Sequence, residues 1–129
     1  MSTVAWQRLE GALVLAACAA MIAAFGLFAP VGPWWLWVLL FFAPDLGMLG
    51  YLAGPRVGAA VYNALHLYGA GLAVAAVGLL GLGTTAVTGF GLLWVAHVGF
   101  DRMLGYGLKE PTGFTDTHLG RIGRRGAPP

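Results

Sequence analysis

The chain has 129 residues, of which 59% are hydrophobic and 9% charged, with a formal net charge of +2; its mean hydropathy is +0.79 and its pI about 9.0. Soluble domains carry about 25% charged residues, so this surface is not composed for water. The few bases form no stripe interleaved with aromatics, which argues against a nucleic-acid partner, and the single cysteine, Cys18, excludes an internal disulfide.

Neither residues 11–44 nor residues 57–100 contain Asp, Glu, Lys or Arg. Each stretch holds two segments of about 20 residues, the length that crosses a hydrocarbon core, so the sequence predicts an all-α fold of four transmembrane helices. The first is expected over residues 9–28. Within it Leu15-Ala16-Ala17-Cys18 resembles a lipobox, but a polar tether should follow a lipidated cysteine, and here the apolar run continues to Phe28; the helix is therefore expected to remain uncleaved. Pro30-Val31-Gly32-Pro33 reads as a tight turn. The second helix, residues 34–53, opens with Trp34, Trp35 and Trp37, indoles suited to the headgroup level. Gly54-Pro55-Arg56 turns the chain into a third helix, residues 57–80, and Gly81-Leu82-Gly83-Thr84-Thr85 into a fourth, residues 86–106. Residues 1–106 thus form the membrane domain, and residues 107–129 a basic tail drawn to anionic lipid.

Arg8, Arg56, Lys109, Arg121, Arg124 and Arg125 fall before helix one, between helices two and three, and after helix four. The positive-inside rule places both termini in the cytoplasm. Gly50, Gly54 and Gly58 are spaced for close helix contact. With four short spans enclosing little volume, the expected partners are the lipid bilayer and further copies of the chain.

An internal echo links helices two and four. Met48-Leu49-Gly50-Tyr51 follows Asp45, Met103-Leu104-Gly105-Tyr106 follows Asp101, and a proline comes next in each case. Duplication would give two parallel helical hairpins related by an axis along the membrane normal, and it adds Tyr51 and Tyr106 to the polar candidates.

Asp45, Asn63, His66, His97, Asp101 and Arg102 are polar residues at bilayer depth. Each ionisable one costs about 2.5–3.5 kcal/mol there unless it faces inward, pairs or serves a function. At the α-helical rise Asp45, His66 and His97 each lie about 14–15 Å from the cytoplasmic ends of their helices. Asn63 and His66 share one helix face, as do His97 and Asp101, while Pro44 bends the chain beside Asp45. Three readings stay open. One is a packed polar network. Another is a divalent metal site (zinc, iron or manganese) of Asp45, His66, His97 and Asp101, capable of hydrolytic chemistry with a carboxylate as general base. The third is a proton or ion path. Arg102 is expected to snorkel to headgroups, and His118, in the polar run Thr115-Asp116-Thr117-His118, to fold back under the bundle toward the site.

Pro44-Asp45-Leu46, Met48-Leu49-Gly50-Tyr51-Leu52, Gly54-Pro55-Arg56-Val57-Gly58, Tyr62-Asn63 with His66, His97-Val98-Gly99-Phe100-Asp101-Arg102, Leu104-Gly105-Tyr106-Gly107-Leu108-Lys109 and Thr117-His118-Leu119-Gly120 together resemble a family of short bacterial membrane proteins known as domain of unknown function 4260. The resemblance runs from Arg8 to Gly123. It implies an integral membrane location and gathers the polar set and the tail histidine into one signature, without bringing an activity.

Overall fold

The computed structural model describes residues 1–29 and 32–123. Pro30 and Val31 of the expected first turn, and Arg124 and Arg125 of the expected basic tail, lie outside the described residues. Helix α1 spans Thr3–Ala24 and is capped by the Ser2 hydroxyl, which accepts from the Ala5 amide at 3.2 Å. Helix α2, Trp34–Phe41, passes into a 3-10 helix, Ala43–Ala53. Helices α3 (Pro55–Leu65), α4 (Tyr68–Leu79) and α5 (Thr85–Leu104) follow, then a small antiparallel pair, β1 (Asp116–Thr117) and β2 (Gly120–Arg121).

Two of the expected continuous helices are interrupted. An 11-residue 3-10 helix is long for its kind, and the sequence explains it through a period of three. Pro44, Gly47 and Gly50 form one row; Gly47 and Gly50 pack directly on Tyr62, Val61 and Gly58 of α3. Leu46, Leu49 and Leu52 form a second row and all project outward. Phe42, Asp45 and Met48 form the third and turn toward α5 and the cavity described below. A rise of about 2.0 Å per residue in place of about 1.5 Å also sinks Asp45 deeper, to about 18 Å from Gly54.

The second interruption separates α3 from α4, which meet at a 43° bend. His66 caps α3 and Leu67 is extended. Carbonyls freed at such a break need partners, above all away from water. Trp94 of α5 donates its indole N–H to the Leu65 carbonyl at 2.6 Å.

Helix α5 lies between α1 and α4 and is antiparallel to both. Glycines set the approach: a Cβ on Gly11 would lie 2.6 Å from the Gly99 carbonyl oxygen, and one on Gly99 2.8 Å from that of Gly11. Across the other face, Gly91 presses on the backbone of Ala75. Cys18, Ile22, Trp37, Leu92, Leu93 and Val95 form the core. Gly105, in the left-handed region at φ 92°, ends α5, and the Tyr106 amide donates back to the Asp101 carbonyl at 2.8 Å. The tetrapeptides of the echo therefore differ in backbone: one is 3-10 helix, the other a helix C-terminus.

The outer surface is apolar, with Leu13, Leu39, Leu49, Leu72 and Leu79 exposed. Thr3–Ala24 and Trp34–Ala53 are each long and apolar enough to cross a membrane, and the bent pair α3 and α4 makes a third candidate. These apolar helices are suited to association with a lipid bilayer.

Candidate metal centre

Four side chains converge where the 3-10 helix, α3 and α5 meet. His66 Nε2 lies 3.3 Å from Asp45 Oδ1 and 3.4 Å from Asp101 Oδ2. His97 Nε2 lies 3.4 Å from the same Asp45 oxygen, 4.0 Å from the Asp101 oxygen and 3.2 Å from His66 Nε2. One donor atom from each residue falls within a cluster no wider than 4.8 Å, a group that could hold a metal ion. The histidines are 2% and 1% exposed, whereas the Asp45 side chain keeps 28% of its surface open.

Local structure places each group. His66 sits where α3 ends, and its Nδ1 meets the Tyr62 carbonyl at 2.9 Å. A carbonyl only accepts, so Nδ1 carries the hydrogen, and in the neutral ring Nε2 presents its lone pair to the cluster. The Tyr62 ring stacks on His66 at 3.7 Å, and its hydroxyl donates to Asp101 Oδ2 at 2.9 Å. One tyrosine thus orients a histidine and an aspartate. His97 and Asp101 share a face of α5 one turn apart, and Phe41 and Phe42 close edge-on over His97. Three buried side-chain atoms have no hydrogen-bond partner among the described residues: His97 Nδ1, Trp37 Nε1 and Tyr51 Oη.

The other polar candidates lie elsewhere. Asn63 does not bridge the cluster; its amide clamps the backbone of Lys109, donating to the carbonyl at 2.9 Å and accepting from the N–H at 2.6 Å. It plays the part of a second strand partner on the edge of Lys109 that Thr117 does not cover, although it shares a helix with His66. His118 stays within the tail, where its Nδ1 accepts from the Leu108 amide at 2.8 Å, and lies outside the cluster. Arg102 packs its Cβ toward Gly11 and has no carboxylate within 4.0 Å among the described residues. Tyr51 lies over Gly58 and meets Phe114 edge-on, and Tyr106 stands at the rim of the cavity.

The described part of the tail, residues 107–123, is a folded cover. Lys109 pairs with Thr117 in a β-bridge, and Glu110, His118 and Ile122 donate backbone N–H groups within the same segment. Lys109 reads in the sequence only as a topology-setting base after helix four. It is instead 4% exposed, with its ammonium 4.0 Å from the centre of the Phe114 ring and 4.9 Å from that of Tyr62. Burial pushes this ammonium below its ordinary pKa, and the charges of Asp101 and Asp45 act against that shift. Tyr62 was legible four residues before His66, at the spacing that makes helix neighbours. Nothing local marked Lys109, because its partners lie on other elements.

Asn63→Ala removes both bonds of the clamp, so residues 107–123 should loosen. Limited trypsin digestion should then cut at Lys109 or Arg121 at least several-fold faster than in the parent protein. Equal cutting would show that the clamp does not hold the cover.

An all-helical protein with apolar helices of membrane-crossing length, built around a buried His/Asp cluster, is the class that fold and site define. The sequence model described as Domain of unknown function (DUF4260) matches residues 4–122, and the chain belongs to that family. Neither the curated proteins nor the solved structures compared with the chain include a match.

Proposed function

We propose that the chain is a multi-pass bacterial inner-membrane protein that binds one divalent metal ion at Asp45, His66, His97 and Asp101 and uses it for hydrolytic chemistry at a cavity facing the bilayer. The observation that carries this reading is the spacing of the four donor atoms together with the fixed tautomer of His66. Tetrahedral zinc with ligands at about 2.0–2.1 Å sets its donors about 3.3 Å apart; four of the contacts here are 3.2, 3.3, 3.4 and 3.4 Å. Histidine ligands are typically held by a hydrogen bond at the second ring nitrogen, as the Tyr62 carbonyl holds His66. Two imidazoles and two carboxylates suit zinc, iron or manganese.

When bound, the ion would supply Lewis acidity and activate water. The chain's own groups do the rest. Asp45, the half-open member, edges a cavity of about 320 Å³ also lined by Asp101, Tyr62 and Lys109. For that chemistry His66, His97 and Asp101 would hold the ion and Asp45 would be released to take a proton from water there as general base, while Phe41 and Phe42 close over the far side of His97. A proton path has less support, because the core beyond His97 is apolar: Leu92, Leu93, Trp37 and Ile22.

In this reading residues 1–106 cross the membrane four times, with α3 and α4 together forming one broken span and residues 107–129 on the cytoplasmic side. The hydrogen bond from Arg8 to the Met103 carbonyl, 2.9 Å, supports this sidedness, since it brings the start of α1 to the end of α5.

Protein purified in detergent and dialysed against zinc should hold about one equivalent per chain by elemental analysis. The metal should be released on acidification, as protons compete for the ligands' lone pairs. A metal content of zero across zinc, iron and manganese would remove this reading.

A further inference from the structure

The cavity beside the cluster has a charge imbalance. Two carboxylates and a divalent ion sum to zero, which leaves the Lys109 ammonium as the unmatched charge. Among the described residues it has no carboxylate within 4.0 Å, only the faces of Phe114 and Tyr62. A buried, partly desolvated cation of this kind is completed by an anion.

The cavity also has an apolar extension. Phe42 lines both the 320 Å³ cavity and a groove of about 900 Å³ that runs along α2. Phe28, Trp37, Val38, Phe41 and Leu93 form the walls of the groove, with no charged side chain among them, and its volume falls within the roughly 300–1,000 Å³ typical of ligand sites. Phe42 and Met48, at the junction and at the cavity edge, are both exposed on the apolar outer surface. The 3-10 helix and α5 touch only sparsely, which leaves a way in between them from that apolar surface. The polar end lies on the side of the basic residues and the apolar end points toward Trp34, the sense in which a lipid of the cytoplasmic leaflet stands.

We propose that the cavity is the headgroup site for an anionic single-chain amphiphile, which comes in from the bilayer between the 3-10 helix and α5, sets its anionic group between Lys109 and the Asp/His cluster, and lays its alkyl chain in the groove along α2. The inference rests on the metal reading for its charge balance. It assigns Lys109 as the binding residue for the anion and Phe42 as the boundary between head and chain.

The test uses the full chain in phosphatidylcholine nanodiscs, loaded with zinc, with native mass spectrometry reading bound ligand and bound metal together. Tetradecyl phosphate should bind at one per chain, at least tenfold tighter than tetradecanol, which lacks the charge, and than inorganic phosphate, which lacks the chain. Lys109→Met should erase the preference over tetradecanol, and Lys109→Arg should restore most of it. Val38→Trp, which fills the groove, should weaken tetradecyl phosphate at least tenfold and leave inorganic phosphate unchanged. Equal binding of tetradecyl phosphate and tetradecanol to the parent protein overturns the proposal, as does a preference that survives Lys109→Met. If zinc binds one per chain in parent and Lys109→Met alike while no preference appears, the headgroup site falls and the metal centre stands. If no zinc binds, the metal centre falls, and a preference that still depends on Lys109 and Val38 keeps the headgroup site.

Discussion

His66→Ala should weaken zinc binding at least about a hundredfold, measured by competition with a coloured chelator at pH 7.5. The substitution removes one of four donors and the only ring whose Nδ1 is fixed by a backbone carbonyl. It also removes the stacking surface for Tyr62, whose hydroxyl orients Asp101, so one change removes one ligand and disturbs the surroundings of a second. Tyr62→Phe keeps the stack and loses only the hydrogen bond to Asp101, and a loss of about tenfold is expected, at the low end for outer partners of metal ligands. Asp45→Asn should cost less than His66→Ala, because an amide oxygen can still donate. Full zinc affinity in His66→Ala would show that the four groups are a packed polar network and nothing more.

Gly91→Val should destabilise the helical bundle by about 3 kcal/mol or abolish folding, at or beyond the upper end of ordinary overpacking. Any Cβ at this position runs into the backbone of Ala75, which cannot rotate away as a side chain could. Helices in lipid gain most of their association from such close contact, so pushing α4 off α5 also strips neighbouring contacts at Gly71 and Val95. Gly69 is the control: a Cβ there meets nothing within 4 Å. Gly69→Ala should be neutral or stabilising by up to about 1 kcal/mol through backbone entropy. Titration with dodecyl sulfate, followed by circular dichroism, compares the two. A wild-type midpoint for Gly91→Val would mean that α4 and α5 are not in contact at this position.

Most of the elements were legible because charge-free runs and Pro/Gly punctuation are local signals. The charge-free stretches locate the helical segments, and Gly54-Pro55 marks the break before α3 as expected. The conformation within those segments was harder to see. Residues 43–53 carry a repeat of three in Leu46, Leu49 and Leu52 against Gly47 and Gly50, and a search for the 3.6 period passes over it. The bend at His66 has no proline or glycine to announce it; Trp94 makes it tolerable by taking up the carbonyl of Leu65, 29 residues earlier in the chain. At the centre, residue types at bilayer depth were enough to single out Asp45, His66, His97 and Asp101, since each would be costly facing lipid. Asn63 was grouped with them from its helix face alone, and only tertiary structure reveals that it turns to the Lys109 backbone. Lys109 itself looked like a topology base because a charge next to a helix end usually is one.

The two pairs of would-be ligands belong to different subassemblies. Asp45 and His66 come from the hairpin of the 3-10 helix and α3, His97 and Asp101 from the tight packet of α1, α4 and α5. Besides the chain's own passage from α3 into α4, the Tyr62–Asp101 and Trp94–Leu65 hydrogen bonds join the halves at that level, so an ion held there would act as a further rivet across a seam. Loading it would stiffen the whole molecule, and stripping it would let the hairpin swing and the lateral opening widen.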